Sequence, residues 1–417
     1  MSRVPQKFKM GVVGAWLAGL MTLQGCAPVA LRAPLTPSTD VAANSPSNIR
    51  MMGADHRFTY ESTGRVARRA QDARGTRPFA ILALSGGGAD GAFGAGALVG
   101  LSRSGKRPQY AVVTGVSVGA LLAPYAFLGP EWDQQLMDAY TSGRAEHLLQ
   151  SRHLGVIFGS SAYRGRPLER LVDAFLSDAL MQAVAREAAS GRLLLVATTN
   201  VETGETVVWD LGSVALNGGA NAKALFRDIL VASASVPGIF PPVIIRVHDG
   251  WGEYSEAHVD GSATAPFLIP RALLLPSLDL AHRPAPEVYV IVDGRLSEEP
   301  ASIPLRFRPI VSHSISAALT HMMRTTLELT ATNAQLQGAS FQYSAIPTAY
   351  PTLAAFDFRA ASMRSLFQFG VECADSNRLW VSSQHEVSDR SDRGKAASGP
   401  NLSCPADDDF IAGLAAR

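Results

Sequence analysis

Short apolar runs alternate with longer amphipathic stretches over most of the chain. Residues 79–84, 110–114, 192–198, 205–210, 243–247 and 287–292 are strand-length segments rich in Val, Ile, Leu and Ala. Runs of this kind predict strands covered on both faces, as in a parallel sheet. Segments of helical length lie between them, at about 91–101, 120–128, 131–150, 166–188, 222–233 and 309–337. Strand and helix in alternation predict an α/β fold with a mostly parallel central sheet. No repeat of 20–50 residues interrupts the pattern.

The two ends read differently. Arg3, Lys7 and Lys9 precede an uncharged apolar run over residues 10–23, which closes in Leu23-Gln24-Gly25-Cys26. A basic start and a short apolar core predict a secretory signal. The run is short for a bilayer span, which needs about 20 residues. Its end resembles the lipobox of bacterial lipoproteins, with Gln24 a departure from the usual small residue. That resemblance implies a signal peptide over 1–25 and transfer of a diacylglycerol to the thiol of Cys26, which becomes the mature N-terminus. The chain would then be held at a bilayer of the cell envelope. Ala27 after the cysteine points to the outer membrane. Residues 26–77, rich in Pro, Ala, Ser, Thr and Arg, read as a flexible tether. An ordered domain is expected from 78 to 345, and residues 346–417 form a C-terminal extension that turns polar from about 385.

Composition narrows the function classes. The 417 residues are 47% hydrophobic and 18% charged, which argues against a disordered or coiled-coil protein. Lys and Arg number 37 against 36 Asp and Glu, so the basic excess of a nucleic-acid binder is missing. The three cysteines form no CxxC pair, and no EF-hand loop is present, so no metal or other cofactor is expected. With Cys26 assigned to the anchor, Cys373 and Cys404 remain as a possible disulfide.

Two glycine turns carry the candidate chemistry. Ser85-Gly86-Gly87-Gly88-Ala89-Asp90-Gly91 joins the first strand of the domain to a helix rich in small residues. Such a turn presents successive backbone N–H groups at a helix N-terminus. It fits a phosphate loop, an oxyanion hole or a structural turn. The nucleotide reading needs an acidic residue about 20 positions on. No Asp or Glu occurs between Gly91 and Pro130. The second turn is Gly115-Val116-Ser117-Val118-Gly119, a G-x-S-x-G between a strand and a helix. There a serine sits on a tight bend with its hydroxyl exposed, and Gly115 and Gly119 leave room for the crossing. Consecutive βα turns of a parallel sheet open at the same edge, the usual place for a site.

The serine needs a base. None of the nine histidines follows a late strand in the way a Ser-His-Asp esterase expects, although His313 and His321 remain candidates for that alternative. Two strand-end Asp-Gly pairs, Asp260-Gly261 and Asp293-Gly294, offer a carboxylate instead. The ordered set Gly86-Gly-Gly-x-x-Gly91, Gly115-x-Ser117-x-Gly119, Ala232-Ser-Ala-Ser-Val-Pro-Gly-Ile-Phe-Pro-Pro242 and Asp260-Gly261 resembles the patatin-like phospholipase family over residues 78–345. The resemblance implies a three-layer α/β/α fold and a lipid or other acyl ester as substrate. It further implies a Ser–Asp dyad of Ser117 and Asp260, with an oxyanion hole at Gly86, Gly87 and Gly88. Asp260 is preferred over Asp293 because the proline-rich motif precedes it. Asp90 departs from the basic residue many members carry at that position. A non-catalytic envelope lipoprotein that binds lipid or protein is the alternative from another function class.

Overall fold

A computed structural model describes residues 50–52, 79–149, 161–249, 252–270, 273–274, 285–297, 302–351, 356–382 and 403–408. The chain divides into two compact units, residues 1–37 and 38–417. The first unit, with the expected signal segment and Cys26, lies outside the described residues. So do residues 38–49 and 53–77 of the expected tether, and residues 383–402 and 409–417 of the expected C-terminal extension.

The described strands are β1 (Arg50–Met52), β2 (Ala80–Leu84), β3 (Val112–Val116), β4 (Leu193–Asn200), β5 (Glu205–Asp210), β6 (Val243–Asp249), β7 (Gly252–Asp260), β8 (Glu287–Val292), β9 (Ser340–Ala345) and β10 (Val381–Ser382). The helices are α1 (Gly91–Arg103), α2 (Val118–Leu128), α3 (Asp133–Thr141), α4 (Arg166–Phe175), α5 (Asp178–Ala189), α6 (Leu211–Asn217), α7 (Gly219–Ser233), α8 (Phe307–Leu336) and α9 (Ala360–Asp375).

One sheet runs in the order β1-β5-β4-β3-β2-β8-β9-β10. Its centre, β4-β3-β2-β8-β9, is parallel throughout. The flanking strands β5, β1 and β10 are antiparallel. Side chains alternate between two apolar layers, as the period of two requires. Leu82, Leu84, Val113, Leu194 and Ile291 join the layer beneath α1, α2, α7 and α9. Ile81, Ala83, Val112, Leu195 and Val290 join a second layer with Met323 and Leu327 of α8. The result is a three-layer α/β/α fold with a mostly parallel sheet, as the alternation of strands and helices predicts.

The structure departs from the sequence pattern at four places. The stretch 166–188 is two helices, because Ser177 accepts the Leu180 N–H at 3.1 Å and starts a new helix. The stretch 131–150 forms α3 and then a short 3-10 turn over Arg144–His147, after Gly143 adopts φ 82°. Residues 346–417 are not wholly an extension. Within them α9 packs on α1, and β10 pairs with β9. Likewise Arg50–Met52, inside the expected tether, pairs with β5.

The α1–α9 contact depends on glycine. A Cβ on Gly96 would lie 2.0 Å from the Phe367 carbonyl oxygen, and one on Gly100 2.5 Å from that of Val371. The small residues of α1 therefore let a second helix approach its backbone. A disulfide joins Cys373 of α9 to Cys404, with 5.5 Å between Cα atoms.

Candidate active site

The sheet register brings Ser117 and Asp260 together. β3 runs along β4 and ends with Val116 opposite Ala197. β7 takes up the same side of β4 from the other direction and ends with Asp260 opposite Thr198. The two strands thus meet head to head on one neighbour, and the next residue of β3 is Ser117.

At Ser117 the chain turns from β3 into α2 within one residue, with φ 54° and ψ −124°. A side chain in this region of φ costs on the order of 1–3 kcal/mol and persists only where its surroundings enforce it. Here the Ser117 N–H donates to Ser233 Oγ at 3.0 Å. The Ser233 hydroxyl in turn donates to the Ala197 carbonyl at 2.7 Å. Neighbouring glycines make the bend feasible: a Cβ on Gly115 would lie 2.4 Å from the Gly119 oxygen, and one on Gly119 2.4 Å from the Leu84 oxygen. Ser233 is a functional support that sequence reasoning missed. Its only signal is its place in the serine- and proline-rich motif.

Ser117 Oγ donates to Asp260 Oδ2 at 2.5 Å. Asp260 Oδ1 accepts the Ser262 N–H at 2.8 Å, which fixes the carboxyl plane. Its backbone is held on both sides, N–H to Ser235 O at 2.9 Å and carbonyl from Thr199 Oγ1 at 2.9 Å. Asp260 is 2% exposed. Burial pushes its carboxyl up to about 6, against the opposing pull of the Ser117 and Ser262 hydrogen bonds.

The rival carboxylate occupies another place. Asp293 lies behind the glycine turn, where Oδ1 accepts the Gly94 N–H at 2.9 Å and its own N–H donates to Ser85 Oγ at 2.9 Å. Burial holds this carboxyl well above its usual range, and the charge of Asp90 raises it further. Asp293 therefore keeps its proton to a higher pH than a free carboxylate, with the Gly94 hydrogen bond opposing the rise. Asp90 itself is pushed up to about 7 by desolvation, with Arg295 pulling the other way. Among the described histidines, none bonds to Ser117. Both ring nitrogens of buried His258 are engaged, by Thr198 at 2.9 Å and by Glu256 at 3.0 Å. His313 and His321 lie on α8, where His321 meets Arg324.

The glycine turn corrects one expectation. The Gly86 N–H donates to the Pro266 carbonyl at 3.1 Å, so it is not available to an oxyanion. Gly86 is needed for space instead, since a Cβ there would meet Ser262 Oγ at 2.2 Å. Among the described residues, the Gly87 and Gly88 N–H groups have no acceptor. Gly88 adopts φ 62° and lines the same cleft as Ser117. A Cβ on Gly87 would lie 1.5 Å from the Asp293 carbonyl oxygen.

That cleft encloses about 950 Å³, open solvent included. Leu168, Leu171, Val172 and Phe175 line it from α4 at helical spacing. Leu230 of α7, together with Phe356 and Phe358, adds to the apolar wall. Polar tips come from Ser117, Tyr125 and Tyr140. A nucleophile at the wall of an apolar cleft suits an ester with a long hydrocarbon part.

Residues 82–273 match the model of the patatin-like phospholipase family. The matched stretch contains both glycine turns, Ser117 and Asp260, and ends before Asp293. It is a family of lipid acyl hydrolases, which act on lipid esters. No curated protein matches the chain. Among solved structures, VipD from Legionella pneumophila is similar at 13% identity, over 73% of this chain and 68% of that one, with a TM-score of 0.30.

Proposed function

We propose that the protein is a serine hydrolase of lipid acyl esters that works through a Ser117–Asp260 dyad. The observation that carries this reading is the 2.5 Å bond from Ser117 Oγ to a buried carboxylate, at a cleft lined almost wholly by hydrocarbon. Asp260 takes the Ser117 proton as Oγ attacks the ester carbonyl carbon. The N–H groups of Gly87 and Gly88 receive the resulting oxyanion. Collapse breaks the bond to the alcohol oxygen, which leaves with the proton from Asp260. Water then gives its proton to Asp260 and attacks acyl-Ser117. The fatty acid departs, and the proton returns to Ser117.

The cleft determines which half of the ester sits where. The acyl chain lies against Leu168, Val172, Phe175 and Leu230, and the alcohol half faces solvent. Anchoring through an acylated Cys26 would place the domain at an envelope membrane, beside a lipid substrate. An outer-membrane location follows the same proposal.

The test is direct. Ser117→Ala lowers hydrolysis of a chromogenic acyl ester by on the order of 10⁴-fold or more and abolishes covalent labelling by a fluorophosphonate. Full activity in that variant overturns the assignment. A wild-type chain that neither labels nor hydrolyses is a lipid-binding module instead.

A further inference from the structure

α8 is longer than the sheet it covers. Its 30 residues span about 45 Å at 1.5 Å per residue. β9, which follows it, has six residues and spans about 20 Å. α8 connects β8 to the parallel strand β9, so it runs antiparallel to both. Its C-terminal end lies at the edge where the strands begin. Its N-terminal half therefore extends toward and past the edge that carries Ser117, Asp293 and the glycine turn.

An apolar ridge follows that extension. Phe307, Val311, Ile315, Leu319, Met323 and Leu327 recur every four residues. Leu327 is 2% exposed and Met323 9%, both packed on the sheet. The same ridge then emerges: Leu319 is 42% exposed, Ile315 56% and Phe307 80%. A helix that merely overhung the fold would be polar there. Charge is one-sided over the same stretch. From Pro300 to Leu327 the sequence has no Asp or Glu, while it has Arg306, Arg308 and Arg324. An exposed apolar ridge in a stretch of sequence that carries arginines and no carboxylates is the pattern of a helix that lies in a bilayer interface among anionic headgroups. It is not a span, because no helix among the described residues is long and apolar enough to cross a membrane.

We infer that the N-terminal half of α8, from Phe307 to Leu319, docks on the surface of an anionic lipid bilayer and holds the active-site edge of the sheet against it. This rests on the proposed action on lipid esters. It adds a second attachment, independent of Cys26, that orients the domain. A lipid anchor at the end of a tether holds the domain near the bilayer without fixing its orientation, so a second contact of this kind decides which edge faces the lipid.

The experiment uses the whole chain with two readouts. In a Ser117→Ala background, which leaves the vesicles intact, Ile315→Trp is added and mixed with phosphatidylglycerol vesicles carrying brominated acyl chains. Fluorescence is quenched beyond that of the chain with Ile315, and quenching weakens on phosphatidylcholine vesicles. With Ser117 restored, Phe307→Glu with Ile315→Glu lowers hydrolysis of vesicle lipid by about tenfold while the rate on a soluble short-chain ester stays unchanged. Unchanged vesicle hydrolysis and no added quenching overturn the inference. So does light scattering that shows a wild-type dimer and a Phe307→Glu/Ile315→Glu monomer, which would assign the ridge to a second copy of the chain. Added quenching in the Ile315→Trp chain, together with a wild type that hydrolyses neither substrate, sinks the enzyme assignment and leaves the docking helix standing.

Discussion

A carboxylate becomes an effective base near neutrality when its proton affinity approaches the working pH. At Asp260 burial supplies that shift, from 3.8 up to about 6. The reaction needs the ionised form, so kcat/KM should rise with pH through about 6 and then level off. Stability runs in the opposite sense. The folded state holds the proton more tightly than the unfolded chain, so this residue's contribution falls as pH rises from about 4 to about 6. It stays lowered above that, by about 3 kcal/mol at most. Asp260→Asn removes the buried charge and keeps the shape. It should therefore lower hydrolysis by about 10²–10⁴-fold, yet melt no lower than wild type at pH 8. Asp293→Asn should retain activity, since Asp293 bonds to Gly94 and Ser85 and not to Ser117. An acid limb that does not move from about 4, or loss of activity in Asp293→Asn alone, would reassign the base. The nucleophile was legible in sequence because a strand, a bend and two glycines are local. The spent Gly86 amide was not, because its acceptor, Pro266, is remote in the chain.

Between elements, α1 and α9 approach closely. A Cβ on Gly100 would lie 2.5 Å from the Val371 oxygen and 2.7 Å from the Ala374 Cβ. Gly100→Ala must push the two helices apart, which should cost about 1–3 kcal/mol. Thermal unfolding would show the loss, and fluorophosphonate labelling of Ser117 at room temperature should persist. The run of small residues in α1 announces close packing in the sequence, but not its partner. Periodicity finds α8 almost to its ends, 309–337 against Phe307–Leu336. It does not reveal where the core stops beneath that helix. The boundary at residue 345 fails for the same reason: α9 has the length and pattern of a helix, and only the contact with α1 makes it part of the domain.

Across the whole molecule, the C-terminal segment is stitched on at several points. Besides the disulfide, the Ala406 N–H donates to the Arg378 carbonyl at 3.0 Å, and Asp408 Oδ2 accepts the Thr348 N–H at 2.9 Å. The cysteines enclose a loop of 31 residues. Closing a loop of that size stabilises by about 3–4 kcal/mol in the chain-entropy account. Replacing both cysteines by Ala should lower the melting temperature by several degrees and leave the rate per folded molecule unchanged. An unaltered melting temperature would mean the other contacts suffice. Counting cysteines allows this pair, whereas only the fold brings the two thiols within reach. The meeting of β3 and β7 on β4 has a kinetic consequence as well. The two oxygens of the proposed dyad are separated by 143 residues of chain, so no local folding event can join them. Slipping β7 by one residue would turn Asp260 to the opposite face. Turnover in a refolding chain therefore marks the moment when β3 and β7 have both found their register on β4, and partly folded molecules are silent toward every ester around them.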